Sequence, residues 1–362
     1  MSDASRSPVG NFIRSTLDSL DHLGCFVNRT GLRFGSATIN LRFSVDGATV
    51  RLVQRLLAAF DRTIVAPTGF VTPDYELCLA LGAGTGIGAP PKVWPFGTSE
   101  RDSFHRVHWD IETGLGLTSD EQIGVWNLAD LKRGRGLVWI SEADRLPSWE
   151  FSAPFRHHAH WIALLRQGAI LHAATLADES SAFLLTGPGG SGKSTTTVVA
   201  QASGRCVLAE DLTWFEEQQR GFRVFPLYRT FKVTDAARRT FPLIDEFVAQ
   251  HPHEKLEKTL VYGPGTGGAE ALASKTLRVL YCLSAKFADT TKIEPCAPGL
   301  AFRLLAPSTV FLMRTAVPET SARLRSMIER LPLFHVTLGR DPLAAVDAIF
   351  VHFRELDAVR TH

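Results

Sequence analysis

The chain has 362 residues, a length typical of two domains of ordinary size. Hydrophobic residues make up 45% and charged residues 21%, as in a globular protein with a sizeable core. Lysine and arginine number 39 against 37 aspartate and glutamate, so the net charge of +2 gives no reason to expect nucleic-acid binding. The sequence has neither an apolar signal-peptide core at its start nor a run of roughly 18 apolar residues, and its five scattered cysteines have no metal-site spacing. We therefore expect a cytoplasmic protein with free thiols and no membrane contact.

Residues 1–150 have the pattern of a mixed helix and strand domain without an apparent internal repeat. Ser36–Gly47 alternates apolar and polar residues as a half-buried strand does, and Ala48–Asp61 has helical spacing. Gly82–Thr98 is rich in glycine and proline and predicts a long loop. Its GAGTGIG stretch resembles a dinucleotide-binding loop, but the following Ala89-Pro90-Pro91 excludes the helix start that such a loop requires. We predict an α+β accessory domain that recognises the substrate.

A second domain is predicted over residues 151–362. Phe155–Gly168 has helical spacing and ends on a glycine, a frequent stop signal. His157, His158 and His160 lie in this helix without acidic or cysteine partners nearby in sequence, which favours core histidines over a metal site.

Two short apolar runs follow this helix, and the second leads into a glycine-rich segment. Ala169–Ala177 and Ser181–Gly187 are separated by three polar residues, which predicts a β-hairpin. The segment after the hairpin satisfies the P-loop pattern G-x-x-x-x-G-K-S and continues into a helix-compatible stretch. Its backbone N–H groups and the helix N-terminus would bind the phosphates of ATP. The predicted nucleotide-binding residues of this loop are Gly187, Pro188, Gly189, Gly190, Ser191, Gly192, Lys193, Ser194 and Thr195.

Two acidic residues follow the next apolar strand. Glu210 and Asp211 come directly after the run that begins at Cys206. Alone, such a pair would be an ordinary solvated turn, but after a P-loop it suits a site that holds a metal and accepts a proton. The chain lacks the guanine-reading [NT]KxD motif and an LSGGQ-like signature, which argues against a GTPase switch and a transporter ATPase.

Together these residues resemble the C-terminal domain of the HPr kinase/phosphorylase family and its HPr-kinase-like relatives. The match consists of His172 in ILHAATLA, the Gly-Lys-Ser loop, Glu210-Asp211 and the segment Pro226–Thr234, and it spans roughly residues 161–353, weakly after Thr234. The resemblance implies an α/β P-loop kinase domain with the phosphoenolpyruvate-carboxykinase-like fold. It leaves a homo-oligomer open, because members of the family can form oligomers.

The resemblance also implies a role for each matched residue. His172 would polarise the transferring phosphoryl group or assist the acidic base, and Lys193 would contact the β- and γ-phosphates. Glu210 would accept the proton of the acceptor hydroxyl, whereas Asp211 and Ser194 would hold Mg²⁺. The cations proposed to neutralise phosphate charge are Arg229, Lys232 and Lys258, with Lys255 as the rival of Lys258.

The sequence departs from the HPr kinases proper at two positions. Thr195 stands where they carry glutamate, and Glu210 where they carry the first of two aspartates. We expect an ATP- and Mg²⁺-dependent kinase acting on a serine of a peptide or small protein, or on a small-molecule alcohol. The alternatives are an ATP-binding regulatory module and a plain NTPase. The glycine-rich segment Val261–Glu270 is expected to contribute to acceptor recognition.

Overall fold

The computed structural model describes residues 7–60, 73–82, 87, 105–179, 181–264 and 274–360. The chain is a mixed α/β protein that divides into two compact units. Unit 1 comprises Met1–Ala58, Thr63–Ile162 and Met313–Ala316, and unit 2 comprises Ala59–Arg62, Ala163–Leu312 and Val317–His362. The main change of unit thus falls at Ile162/Ala163, within a helix. None of the helices in the described part of the chain is both long and apolar enough to cross a membrane.

Unit 1 is built on one seven-stranded sheet in the order β1-β2-β3-β7-β6-β5-β4. β2, β3 and β7 pair in parallel, and the other neighbours are antiparallel. The strands are β1 (Asn28–Phe34), β2 (Ala37–Phe43), β3 (Tyr75–Leu81), β4 (His105–Asp110), β5 (Leu115–Asp120), β6 (Val125–Asp130) and β7 (Arg135–Ile140). The helices are α1 (Pro8–Ser19), α2 (Gly47–Leu57), α3 (Ser148–Ser152) and most of α4 (Arg156–Leu165).

The last four strands of this sheet form a meander with a repeated turn. Each turn begins with an aspartate whose Oδ1 accepts backbone N–H groups of the turn, and it ends with a glycine at φ between 63° and 71°. The three pairs are Asp110 with Gly114, Asp120 with Gly124, and Asp130 with Gly134. The expectation that the N-terminal half has no internal repeat was therefore wrong. The regular Asp-to-Gly spacing was the signal, because only glycine adopts positive φ without strain.

Unit 2 contains a nine-stranded mixed sheet. Seven strands follow the order β11-β9-β10-β17-β13-β12-β8, and β19 pairs in parallel with β17 and antiparallel with β18. The strands are β8 (Gly168–His172), β9 (Ala174–Ala177), β10 (Ser181–Thr186), β11 (Cys206–Ala209), β12 (Leu212–Gln218), β13 (Gly221–Phe225), β17 (Lys275–Ala288), β18 (Lys292–Pro295) and β19 (Leu333–Gly339). A separate three-stranded sheet consists of β14 (Thr230–Val233), β15 (His253–Lys255) and β16 (Thr259–Tyr262).

The helices of unit 2 help to build its core. They are α5 (Lys193–Ala202), α6 (Asp235–Thr240), α7 (Pro242–Gln250), α8 (Pro298–Met313), α9 (Val317–Arg330) and α10 (Pro342–Arg360). One core cluster joins α5, α7 and α10 to the strands β9, β10, β14, β17 and β19. Phe183 of β10 lies at its centre and contacts the rings of Tyr281, Phe350 and Phe353. This packing fixes the strand and the helix between which the P-loop lies.

Several element predictions are confirmed, and one boundary is corrected. The strand predicted within Ser36–Gly47, the following helix, and the hairpin of β9 and β10 are all present. The helix that was expected to end on Gly168 ends at Leu165, and Gln167 adopts the left-handed conformation (φ 55°) instead. Gly168 begins β8, where a Cβ atom would lie 2.0 Å from the carbonyl oxygen of Phe215. Close strand contact, not helix termination, requires this glycine.

Candidate functional site

The P-loop lies between β10 and the N-terminus of α5, as predicted. Gly192 is the residue before the helix and has φ 88°; a Cβ atom there would lie 2.7 Å from Cδ1 of Leu338. A Cβ atom on Gly187 would lie 2.8 Å from the Leu283 carbonyl oxygen. The fold itself therefore requires these two glycines.

The middle glycines of the loop have a different environment. A Cβ atom on Gly189 or Gly190 would meet no atom within 4 Å, although the φ of 80° at Gly190 still favours glycine. The space beside this part of the loop is open, as a loop that receives a phosphate group requires.

A cavity of about 440 Å³ opens over this loop. All the predicted P-loop residues line it, as do the predicted His172, Asp211, Lys232 and Lys258. The other lining residues are Val198, Val233, Thr234, Ala237, Ile244 and Phe287. The structure therefore brings most of the predicted site residues to one cavity within unit 2.

At two points the chain changes its strand partners, and these points place the polar side chains of the site. The run Ala169–Ala177, predicted as one strand, is two strands that separate at Ala173: β8 pairs with β12, whereas β9 pairs with β10 and β11. The strand partners change a second time at Glu210 and Asp211, which connect β11 to β12. In the β8–β12 register His172 lies opposite Leu212, so the histidine is beside the acidic pair.

Asp211 is the centre of the charged cluster in the cavity. Its Oδ1 lies 2.9 Å from His172 Nε2 and 3.5 Å from Lys193 Nζ, and its Oδ2 lies 2.5 Å from Lys232 Nζ. Burial alone would raise the pKa of this carboxyl group, but the Lys232 ammonium, the His172 hydrogen bond and Lys193 together hold its pKa well below the usual value. Asp211 is therefore ionised at neutral pH.

Glu210 has the opposite environment. Its side chain is buried, and burial followed by the charge of Asp211 raises its pKa. The Ser194 hydroxyl favours the charged form of this carboxyl group, yet neither carboxylate oxygen has a hydrogen-bond partner of ordinary geometry. Unlike Asp211, Glu210 is not among the residues that line the cavity.

The site contains buried polar atoms that suit a polyanion and a cation. Ser191 Oγ and Lys193 Nζ are buried without a hydrogen-bond partner, as are both carboxylate oxygens of Glu210. Buried polar groups in proteins are normally satisfied. Unpartnered buried atoms occur elsewhere in the chain as well, but these are placed where they could bind a ligand of the P-loop. The donors suit phosphate oxygens, whereas the Ser194 hydroxyl and Glu210 supply the oxygen ligands that Mg²⁺ prefers.

The remaining predicted cations lie in different places. Lys258 lines the cavity with an exposed side chain, whereas its rival Lys255 is outside and forms an ion pair with Asp235. Arg229 does not line the cavity, and its backbone N–H donates to the Ala59 carbonyl oxygen. Lys232 contacts a predicted acidic residue of the site, because its ammonium group pairs with Asp211.

Two residues at the site were missed by sequence reasoning. Thr309 Oγ1 of α8 accepts the backbone N–H of His172 at 3.0 Å and so fixes the end of β8. Phe287 of β17 lines the cavity with its side chain 56% exposed. No local pattern marks either residue, because both reach the P-loop through the pairing and packing of distant elements.

The three histidines of α4 behave as predicted for core residues. His158 and His160 are completely buried, and burial lowers both pKa values to about 3. His158 Nδ1 lies 3.1 Å from the Tyr75 hydroxyl oxygen, and its ring contacts Trp161 edge-on. Burial also lowers the pKa of His157 well below its ordinary value.

Two predicted glycine-rich segments lie largely outside the described residues. Of the predicted loop Gly82–Thr98, only positions 82 and 87 belong to the described residues, and residues 265–270 of Val261–Glu270 also lie outside them. Within the described ranges, no group of three or more His, Cys, Asp and Glu side chains could hold a metal ion. No family model matches the chain, and the comparison with curated proteins likewise found no match.

Proposed function

We propose that the chain is an ATP-dependent kinase that transfers the γ-phosphate to a hydroxyl group. The observation that carries this proposal is the ionised carboxylate of Asp211 in the P-loop cavity, in contact with His172, Lys193 and Lys232. A kinase site needs cations for the phosphates and a carboxylate to receive the hydroxyl proton, and this cluster supplies both. We assign to unit 2 the phosphoenolpyruvate-carboxykinase-like P-loop fold, on the strength of the β10–P-loop–α5 unit and the acids after β11.

The different environments of Asp211 and Glu210 favour an exchange of the roles expected from the sequence, which were Mg²⁺ binding for Asp211 and proton acceptance for Glu210. Asp211 faces the cavity, so it is the carboxylate that can touch an acceptor hydroxyl. Glu210 is buried near Ser194, which suits the metal side of the site. We therefore assign proton acceptance to Asp211, and Mg²⁺ binding to Ser194 together with Glu210. When bound, Mg²⁺ neutralises charge on the β- and γ-phosphates.

The remaining side chains position the reacting groups. Lys193 and Lys232 stabilise the negative charge on the transferring phosphoryl group, and His172 orients Asp211 through its 2.9 Å contact. In the transfer, the acceptor oxygen forms a bond to the γ-phosphorus while the bond between this phosphorus and the β,γ-bridging oxygen breaks. The acceptor proton passes to Asp211 Oδ, and ADP leaves. The acceptor is a serine of a peptide or small protein, or a small-molecule alcohol.

The proposal is tested by separating nucleotide binding from transfer. Calorimetry with Mg²⁺ and a non-hydrolysable ATP analogue should give binding that Lys193→Ala weakens about 100-fold or more, because the ammonium contacts two phosphates. Radiolabelled ATP should label members of a panel of serine peptides and small alcohols. Asp211→Asn should keep nucleotide binding within about threefold and reduce labelling about 100-fold or more.

Each other outcome has a defined meaning. Nucleotide binding without labelling of any acceptor, unchanged by Asp211→Asn, would identify a regulatory module instead of a kinase. Release of inorganic phosphate at the same rate with and without acceptors would identify an NTPase. Failure of the unmodified protein to bind the analogue would contradict the proposal as a whole.

A further inference from the structure

We propose that Phe287 forms the nucleobase-binding platform of this site and that an aromatic base stacks on its exposed ring. This inference rests on the proposed function, since it places the nucleoside end of the same nucleotide. It begins from the strand β17, which extends beyond the P-loop. Between its pairings with β19 at Leu283 and at Phe287, β17 advances four residues while β19 advances two, from Val336 to Leu338.

This irregularity carries Phe287 over the P-loop. Extra residues in one strand bend it and redirect its side chains, and such bulges are frequent next to active sites. A Cβ atom on Gly192 would lie 3.5 Å from Cε1 of Phe287, so the ring lies beside the glycine that precedes the P-loop lysine. The ring is 56% exposed although it lines the cavity. A large, half-exposed aromatic ring beside a phosphate site is suited to stacking.

The direction of the nucleotide follows from the charged residues of the cavity and from the position of Phe287 on β17. Lys193 Nζ lies 3.5 Å from Asp211, so the terminal phosphate belongs at the Asp211 end of the loop. Phe287 lies beside Gly192, on the part of β17 that continues beyond its parallel pairing with the P-loop strand β10. A nucleotide whose γ-phosphate faces Asp211 and whose base lies at Phe287 would span the cavity that both residues line, in the crevice at the carboxyl ends of the parallel strands β10 and β17.

The branched apolar residues of the lining do not offer a comparable surface. Val198, Val233 and Ile244 are each at most 2% exposed, because they belong to the core cluster of unit 2. A base that entered the cavity would find little of their surface, whereas more than half of Phe287 is exposed. Stacking uses the π-face that all bases share, so we expect adenine and guanine nucleotides to depend on Phe287 to a similar extent.

The test compares a nucleotide with an inorganic polyphosphate. Calorimetry would measure the binding of Mg²⁺-bound ATP analogue and of Mg²⁺-bound inorganic tripolyphosphate to the full chain. Phe287→Ala should weaken binding of the nucleotide about tenfold, the order expected for one stacked base, and should leave tripolyphosphate binding unchanged. Phe287→Trp should retain the affinity for the nucleotide, and the fluorescence of the new indole should change on nucleotide binding but not on tripolyphosphate binding.

A matched control and Lys193→Ala separate the possible failures. Phe311→Ala removes a phenylalanine that is 75% exposed on α8 and lies outside the cavity lining, so it should change neither affinity. The inference would be overturned if Phe287→Ala weakened the binding of nucleotide and tripolyphosphate equally, or weakened neither. Loss of nucleotide affinity in Phe287→Trp would also overturn it. If the unmodified protein and Lys193→Ala bind the nucleotide equally, the proposed P-loop site itself has failed.

Discussion

His158 in unit 1 and His172 in unit 2 both come from apolar stretches, but their surroundings differ in charge and in access to solvent. His158 is completely buried against Tyr75 and Trp161, and burial lowers its pKa to about 3. The His172 side chain is 30% exposed and contacts an ionised carboxylate in an open cavity. The comparison teaches that a histidine with aromatic neighbours serves packing, whereas one that orients a carboxylate beside a P-loop is suited to chemistry.

The largest expected effect concerns His172. His172→Ala removes the group that orients Asp211, so we expect the rate of phosphoryl transfer to fall about 100-fold while the affinity for an ATP analogue stays within about threefold. His172→Gln, which retains a side-chain donor, should recover part of the rate. Labelling with radioactive ATP and calorimetry measure the two quantities. Equal losses of rate and affinity in both variants would show that His172 acts only through the structure of the cavity.

A smaller effect on stability, and none on transfer, is expected at His158. His158→Ala leaves a cavity and an unpartnered Tyr75 hydroxyl, so we expect the free energy of unfolding to fall by about 2–3 kcal/mol at pH 7.5. Hydrogen exchange should quicken in α4 and in β3, while nucleotide affinity and transfer rate remain unchanged. A loss of transfer without faster exchange would contradict the structural role.

His158→Ala should also change how the free energy of unfolding depends on pH. The folded protein holds His158 neutral with a pKa of about 3, whereas the unfolded chain binds a proton below about pH 6.5. The unmodified protein therefore loses stability as the pH falls below 6.5, and His158→Ala removes this loss. We expect the difference in free energy of unfolding between the unmodified protein and His158→Ala to narrow by about 2 kcal/mol between pH 7.5 and pH 5. Unfolding followed at both pH values by hydrogen exchange of α4 tests this, and a constant difference would contradict it.

The smallest effect is expected at Glu210. Because the pKa of Glu210 is higher in the folded protein than in the unfolded chain, the folded protein holds more protons than the unfolded chain above about pH 4.5. The free energy of unfolding therefore falls as the pH rises above this value. Glu210→Gln should therefore raise the free energy of unfolding by about 1 kcal/mol at pH 8, and the gain should disappear below pH 4.5.

The neighbouring acid provides the matched control. Asp211→Asn should destabilise the protein at pH 8, because it removes the carboxylate that pairs with Lys193 and Lys232 and whose pKa is lowered. Calorimetric unfolding of both variants at pH 4 and pH 8 compares the two. If both substitutions changed the free energy of unfolding at pH 8 in the same direction, the assignment of opposite environments to Glu210 and Asp211 would be contradicted.

Local patterns predicted the parts of the site that are contiguous in sequence. The P-loop, the helix α5 after it, and the strand that ends before Glu210 follow from glycine spacing and apolar periodicity. The same patterns did not separate β8 from β9, because the run Ala169–Ala177 contains no glycine, proline or other turn-forming residue. The division at Ala173 arises from pairing with different strands, which periodicity does not report.

The sequence by itself determined that a phosphate-binding loop lies between a strand and a helix, since that geometry depends on glycines and a lysine at fixed spacing. Only the tertiary structure decided which groups meet over that loop. It brought Lys232 and His172 to the same carboxylate, gave adjacent Glu210 and Asp211 opposite pKa shifts, and placed Phe287 at the cavity. The physical reason is that contact, burial and charge depend on strand register and packing between distant segments, which no local pattern encodes.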